Sequence, residues 1–313
     1  MSSADFSNLP VQDVIASFTL DKATTRGRFV RLGPLVDEIV RRHDYPLPVA
    51  RVVAEAVTLC AALSAMLKFE GIFTLQAKGK GPVGLVVADI LTDGTVRGYA
   101  QYDAERLGTL GKNPSFKALL GKGYLAFTVD QGGEEQRYQG IVELEGNSLE
   151  DGIKHYFRQS EQMEVGLKLA VEKTEAGWQS GAILLQRLPD ESEYGKHRPS
   201  DLEDSWRHSM VLLSTVTPAE LSGTGIEPLR LLFNLFHEQE VEATGWQPMQ
   251  RGCRCSREKV ENVLIALPEE DIDHLKVDGT VTVTCEFCNE NYRFDEAQVA
   301  ELVASRRLSA VAD

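Results

Sequence analysis

The sequence predicts an α+β fold, in which a mixed N-terminal core is followed by a helical region and a small, separately organised C-terminal module. Three observations predict it. Hydrophobic patterns of period two and period 3.6 mix irregularly from Phe18 to about Leu188, without the regular strand–helix alternation of a parallel sheet. A polar, breaker-rich stretch, PDESEYGKHRPS at 189–200, interrupts them. Four of the five cysteines lie beyond residue 252. With 313 residues, 42% apolar and 26% charged, the chain can bury two or three packed cores. The expected divisions are an α+β core at 1–190, a metastable helical linker region at 191–245 and a cysteine-bearing module at 246–313.

The elements follow in order. Leu35 to Arg42 has the spacing of a short helix, and after Pro46-Leu47-Pro48 the Ala-, Leu- and Val-rich run from Val49 to Phe69 predicts a core helix. Strands are expected at Ile72–Ala77, Val83–Ile90 and Val96–Tyr102, with Asp93-Gly94 as a hairpin signal. Leu125, Phe127 and Val129 alternate, and Gln131-Gly132-Gly133 turns the chain toward a partner strand at Tyr138–Leu144. Leu149–Gln162 reads as helix, with Leu167–Val171 and Ala182–Leu188 as two further strands. Beyond 200, Leu202, Trp206, Met210 and Leu213 recur at helical spacing. Thr217-Pro218-Ala219-Glu220 is a capping box with proline at the first helical position. Leu229, Leu232, Phe233 and Phe236 then form one face of an amphipathic helix.

Charge narrows the function. A net charge of −14 opposes generic binding to phosphate backbones or anionic membranes. The start, MSSADFSNLP, lacks a basic and then apolar leader, and no apolar run is expected to reach the length needed to span a bilayer, so a cytoplasmic protein is expected. No nucleotide-binding loop is present, since Gly79-Lys80-Gly81 lacks the phosphate-loop spacing. The six histidines, at 43, 155, 197, 208, 237 and 274, are scattered, and no G-x-S-x-G or H-E-x-x-H occurs, so no catalytic residues are assigned and a non-enzyme is expected.

The cysteines carry the specific signal. Cys253-Arg254-Cys255 and Cys285-Glu286-Phe287-Cys288 give C-x-C-x29-C-x-x-C, two close pairs that complete the tetrahedral thiolate shell Zn²⁺ prefers. Between them, Ser256 can cap a helix bearing Val260, Val263, Leu264 and Leu267, and Thr280–Thr284 alternates into Cys285. Tyr292 and Phe294 lie on the return strand, and Asp295 can cap a last helix. One Zn²⁺ per chain on Cys253, Cys255, Cys285 and Cys288 is expected. Cys60, within LCAALSAML, is expected to pack in the core. Each ligand pair is also close enough in sequence to close its own disulfide, although the i, i+2 pair needs backbone rearrangement. Structural zinc contributes on the order of 10–16 kcal/mol in small modules, so losing it should melt this one. Helices docked near it would then loosen and expose apolar surface.

Several segments resemble the redox-regulated 33-kilodalton heat-shock chaperone family of bacteria. They are TTRGR at 24–28, HDYPLPVA at 43–50, LKFEG at 67–71, RYQGIVELEG at 137–146, YFRQSEQ at 156–162, LFHEQE at 235–240, and above all CRCSREKVENVL and CEFCNENYRF. The resemblance implies a holdase that binds unfolding proteins without ATP. Its reduced, zinc-bound form would be inactive. Oxidation would join Cys253 to Cys255 and Cys285 to Cys288, release zinc, unfold the linker and favour homodimers. The face of Leu229, Leu232, Phe233 and Phe236 is the expected client surface, with ordinary core packing as its competing reading.

Two rivals remain. A C-x-x-C pair can serve a disulfide oxidoreductase, but such a motif opens a helix, whereas Cys285–Cys288 lies between strand-like runs. A zinc ribbon could bind nucleic acid through Arg251, Arg254, Arg257 and Lys259, but EEDIDHLKVD and the acidic whole oppose a phosphate track.

Overall fold

The computed structural model describes residues 6–21, 24–67, 69–132, 137–188 and 199–309. The chain divides into two compact units, Met1–Gly252 and Cys253–Asp313.

The first unit is organised by α2 (Leu47–Ser64), which follows the shorter α1 (Pro34–Arg41). α2 is apolar over most of its circumference, Arg51 and Glu55 being its only charged residues, and such a helix is stable in water only when most of its surface is covered. Two antiparallel sheets cover it. One contains β1 (Val14–Leu20), β2 (Thr25–Leu32), β8 (Val165–Thr174), β9 (Gly177–Arg187) and β10 (Glu242–Pro248) in the order β10-β1-β2-β9-β8. The other contains β3 (Ile72–Gly79), β4 (Val83–Leu91), β5 (Thr95–Tyr102), β6 (Gly123–Asp130), β7 (Tyr138–Glu143) and the two-residue β11 (Gln250–Arg251). Its order is β11-β5-β4-β3-β6-β7, with β11 joined to β5 in parallel.

Contacts from α2 run to both sides. The Thr58 hydroxyl meets Ser180 of β9 at 2.7 Å, and the Cys60 thiol donates to the Ala88 carbonyl of β4 at 3.3 Å. Gly98 of β5 leaves room for Val57, whose side chain would lie 2.7 Å from an added Cβ. Cys60 is fully buried, as its surroundings in sequence suggest, and burial followed by the nearby Asp89 pushes its thiol pKa up. By length and composition α2 could cross a membrane, which corrects the expectation that no run reaches that length. Its burial between the sheets accounts for the apolarity instead.

Small helices complete this side of the unit. α3 (Ala104–Gly108) and α4 (Phe116–Leu120) begin at Asp103 and Ser115, whose side chains accept from Arg106 and Ala118 amides. α5 (Leu149–Tyr156) is capped by Ser148 and gives way to a π-helical turn at Phe157–Glu161, so the helix expected through Gln162 changes pitch at Tyr156. The Asp93-Gly94 hairpin forms between β4 and β5, with Gly94 at φ +85°.

The outer face of the five-stranded sheet is covered by α6 (Pro199–Thr215), α7 (Pro218–Ser222) and α8 (Pro228–Phe236). Trp206, Leu213, Leu221, Leu231, Leu232 and Phe236 pack there against Phe18, Phe29, Ile183 and Leu185. The capping box of α7 forms as its sequence predicts, Thr217 and Glu220 bonding reciprocally. Gln239, almost fully buried, donates to Asp21 at 3.0 Å and to Ser209 of α6 at 2.8 Å. Arg31 of β2 is fully buried, and its guanidinium donates to the carbonyls of Ile226 (2.7 Å), Glu220 (2.8 Å) and Leu221 (3.2 Å). Desolvation lowers its pKa to about 10, which leaves it charged at neutral pH.

The region expected as a linker therefore falls within the first unit. Its polar part at 189–198 lies outside the described residues, while α6–α8 and β10 pack within that unit, β10 pairing with β1 from Val14↔Pro248 to Thr19↔Glu242 with a one-residue register shift between Ser17 and Phe18.

The second unit consists of α9 (Arg257–Ala266), α10 (Glu269–His274), β12 (Lys276–Val277), β13 (Thr280–Thr284), β14 (Asn291–Asp295) and α11 (Glu296–Ser309). The strands form a small antiparallel sheet in that order. Ser256 caps α9 through the Lys259 amide at 3.2 Å, and Asp295 caps α11 through the Gln298 amide at 2.8 Å. Leu264, Ile272, Val281, Phe294 and Val299 form its buried core among the described residues.

Candidate metal centre

The two cysteine pairs occupy different local structures. Cys253 and Cys255 lie on the irregular segment that leads into α9, the second of them immediately before the capping Ser256. Cys285 follows β13 and Cys288 lies in the tight turn that precedes β14. That turn is closed by the Cys285 amide donating to the Glu290 carbonyl at 2.9 Å and the Asn289 amide donating to the Cys285 carbonyl at 2.8 Å. Asn289 takes the left-handed conformation at φ +57°, which asparagine tolerates better than most residues.

The four sulfurs all lie within 4.8 Å of one another. Cys253 and Cys285 are separated by 3.7 Å, and Cys255 and Cys288 by 3.4 Å. A tetrahedral ion with metal–sulfur bonds of about 2.3 Å holds its sulfurs about 3.8 Å apart, so these residues fit such an ion. Backbone amides complete the cradle. The Cys255 amide donates to the Cys253 sulfur, the Phe287 and Cys288 amides donate to that of Cys285, and the Glu290 amide donates to that of Cys288. Donors aimed at sulfur stabilise thiolate and orient the ligand.

The electrostatics describe a set of sulfurs that cannot all ionise alone. Burial raises the Cys253 pKa, but the Cys255 amide and the neighbouring thiols outweigh it and bring it down to about 6. Burial then pushes Cys285 and Cys288 up; the three neighbouring sulfurs add to the rise at Cys288, whereas at Cys285 the Cys288 and Phe287 amides and the Cys288 thiol offset part of it. The phenol of Tyr292 is pushed up as well, because it donates a hydrogen bond to the Cys255 sulfur. A divalent cation reverses this order by giving every thiolate a shared counter-charge. Sequence spacing does not single out Tyr292. Its position opposite Val283 in the β13–β14 register brings it to the sulfur.

The basic residues around the first pair have local partners. Arg257 pairs with Glu261 at 3.0 Å, donates to the Arg293 carbonyl and stacks 4.3 Å from the Phe294 ring centre. Lys259 donates to the Arg254 carbonyl at 2.6 Å, and in the first unit Arg251 pairs with Glu38 at 2.8 Å. The C-x-x-C turn joins two strands and opens no helix, so its sulfurs lack the helix N-terminus that activates an oxidoreductase thiol.

The apolar face of α8 is divided. Leu232 and Phe236 are buried and Leu229 is half-buried, whereas Phe233 is 52% exposed with the Arg230 guanidinium 5.7 Å from its ring centre.

Comparison with known proteins adds four findings. The family model described as Hsp33 protein matches residues 13–295. The 33 kDa chaperonin of Caulobacter vibrioides (strain NA1000 / CB15N) is 36% identical over 293 residues, covering 91% of this chain and 95% of that protein. That of Ectopseudomonas mendocina (strain ymp) is 35% identical over 296 residues, covering 94% and 96%. Among solved structures, the 33 kDa chaperonin of Thermotoga maritima superposes with a TM-score of 0.78 over 96% of this chain and 100% of its own. At 23% identity that likeness speaks for the fold alone.

Proposed function

This chain belongs to the Hsp33 family, whose chaperone role it shares, and on that premise we propose that it is a cytoplasmic, ATP-independent holdase switched on by oxidation. The observation that carries the reading is the convergence of Cys253, Cys255, Cys285 and Cys288 within 4.8 Å. In the reduced state these four thiolates hold one Zn²⁺, and the second unit stays folded around it. Zinc supplies charge neutralisation and a cross-link between the start of α9 and the β13–β14 turn.

Peroxide is the chemical class of oxidant the step needs. One thiolate of a pair attacks a peroxide oxygen, the O–O bond breaks, and a sulfenic acid and hydroxide form. The second thiolate displaces hydroxide from that sulfenic acid and closes the disulfide. Each disulfide gives two electrons to one peroxide, and two protons from solvent complete two waters. Once paired as Cys253–Cys255 and Cys285–Cys288, the sulfurs lose their charge and with it their hold on the cation.

Disulfide closure removes the four thiolates that would hold the metal, so the second unit melts and the chain beyond β11 is freed. The covering helices α6–α8 then loosen and uncover the apolar residues of α8 for unfolding clients. Phe233, already exposed, is the first contact, and Leu229, Leu232 and Phe236 follow. The oxidised chain acts as a homodimer, with no role for nucleic acid or membrane.

Zinc content, free thiols and suppression of a thermally unfolding protein's aggregation, measured before and after peroxide at raised temperature, test the switch. The expected result is loss of about one zinc and four thiols per chain together with gain of holding activity, in line with the four-cysteine site. Equal holding by the reduced, zinc-loaded protein rejects it.

A further inference from the structure

Two of the segments that carry the family resemblance meet in the first unit, far from any cysteine pair in sequence. The π-helical turn at Phe157–Glu161 ends on Gln162 in the left-handed conformation, and it brings Glu161 beside β7. The Tyr138 hydroxyl donates to Glu161 Oε1 at 2.9 Å, and the Tyr156 hydroxyl donates to the same oxygen at 2.7 Å. Behind them is a cavity of 270 Å³ lined by Leu63, Met66, Phe73, Phe127, Phe157 and Met163. Small-molecule sites run to roughly 300–1,000 Å³, so this one is sized for a single large side chain.

Charge identifies what lies next to that side chain. Both tyrosine hydroxyls are neutral donors to one oxygen, and among the described residues Glu161 Oε2 has no partner and no cation pairs with the carboxylate. The mouth of an apolar cavity thus carries one uncompensated negative charge. It also borders a free sheet edge. β7 is the last strand of its sheet among the described residues, with Tyr138 and Ile141 on it 55% and 57% exposed. An exposed edge strand is a template for an added strand, whose backbone it can pair.

We propose that this cavity is a client subsite: it takes one aromatic or large aliphatic side chain of an extended polypeptide, with a lysine or arginine beside it paired to Glu161. The proposal rests on the chaperone reading above and adds what the chaperone recognises. A single such contact is weak, so the subsite contributes to holding without being sufficient for it.

The test uses the oxidised, full-length chain and fluorescent peptides of alternating Thr and Val with a central Phe-Lys, Phe-Glu or Ala-Lys. Phe-Lys is expected to bind about tenfold more tightly than either of the others, which corresponds to about 1.4 kcal/mol. Glu161→Gln, which keeps an acceptor for both tyrosines and should leave thermal unfolding unchanged, should erase the lysine-over-glutamate preference. The preference for Phe over Ala should survive. Equal binding of Phe-Lys and Phe-Glu by the wild type, or a preference that survives Glu161→Gln, overturns the subsite. Phenethylamine binding as tightly as the Phe-Lys peptide reassigns the cavity to small amines and overturns the client role. Holding of an unfolding protein, assayed on the same samples, separates the two readings. Holding without peptide preference removes the subsite alone, and no holding removes the chaperone reading with it.

Discussion

The two units of this chain reach stability by different routes. The first buries a largely apolar helix between two sheets and adds a second apolar layer beneath α6–α8. The second has only Leu264, Ile272, Val281, Phe294 and Val299 as its buried core among the described residues. Those five side chains contribute on the order of 10 kcal/mol of burial. A structural zinc contributes on the order of 10–16 kcal/mol, so a zinc held by the four cysteines would match or exceed that core. Short chains with small cores need such a cross-link. On the proposed metal-bound reading, the difference teaches where oxidation would act: removing four thiolates would leave the core around α2 untouched and take away most of what folds the second unit.

The largest expected effect removes that cross-link. Cys288→Ser replaces the most buried of the four candidate ligands, and limited proteolysis should cut the second unit freely and α6–α8 next, while α2 and the two sheets of the first unit resist as in the wild type. Survival of both units would put the energy of the second in its apolar core.

Next in size is Arg31→Ala in the first unit. It leaves the Glu220, Leu221 and Ile226 carbonyls without their donor, at about 1–3 kcal/mol for each that stays dry. Amide exchange is expected to quicken in α7 and α8 by that amount, with zinc content unchanged.

A pH effect of similar or smaller size belongs to Glu55 of α2. Burial, chiefly, raises its carboxyl from 4.5 to about 7, with Arg51 lowering and Glu150 raising it. The folded chain therefore keeps this proton after the unfolded chain has lost it. The stabilisation is complete below about pH 4.5 and disappears as pH rises through about 7. Urea titrations of the first unit should lose on the order of 3 kcal/mol across that window, and Glu55→Gln should flatten the slope.

The smallest effect is Thr217→Ala, which breaks the capping box of α7. It should cost about 1 kcal/mol by denaturant titration and spare the second unit.

Legibility in the sequence follows the same division. The candidate metal centre is legible because its geometry is local: two short motifs, each at the end of an element whose cap or alternation is written beside it. Ser256, Thr280–Thr284 and Asp295 form the cap, strand and cap that their residues predict. β1, β2 and β10 are not legible in that way. β2, TRGRFVRL, shows charge where the fold buries it, since Arg31 reads as a surface residue until α7 supplies carbonyls from almost 190 positions away. β10, EATGWQP, has little strand propensity of its own and exists by pairing with β1 across more than 200 residues. The same non-locality hides the meeting of Tyr138 with Glu161, and the two compact units divide at 252/253.

Amide exchange across 257–302, compared in the reduced, metal-loaded chain and after chelation under reducing conditions, bears most directly on the claim that metal–sulfur bonds hold the second unit together. Protection in α9, β13 and β14 should collapse on chelation, while α2 and both sheets of the first unit keep theirs. Unchanged protection in α9, β13 and β14 without the metal would contradict it.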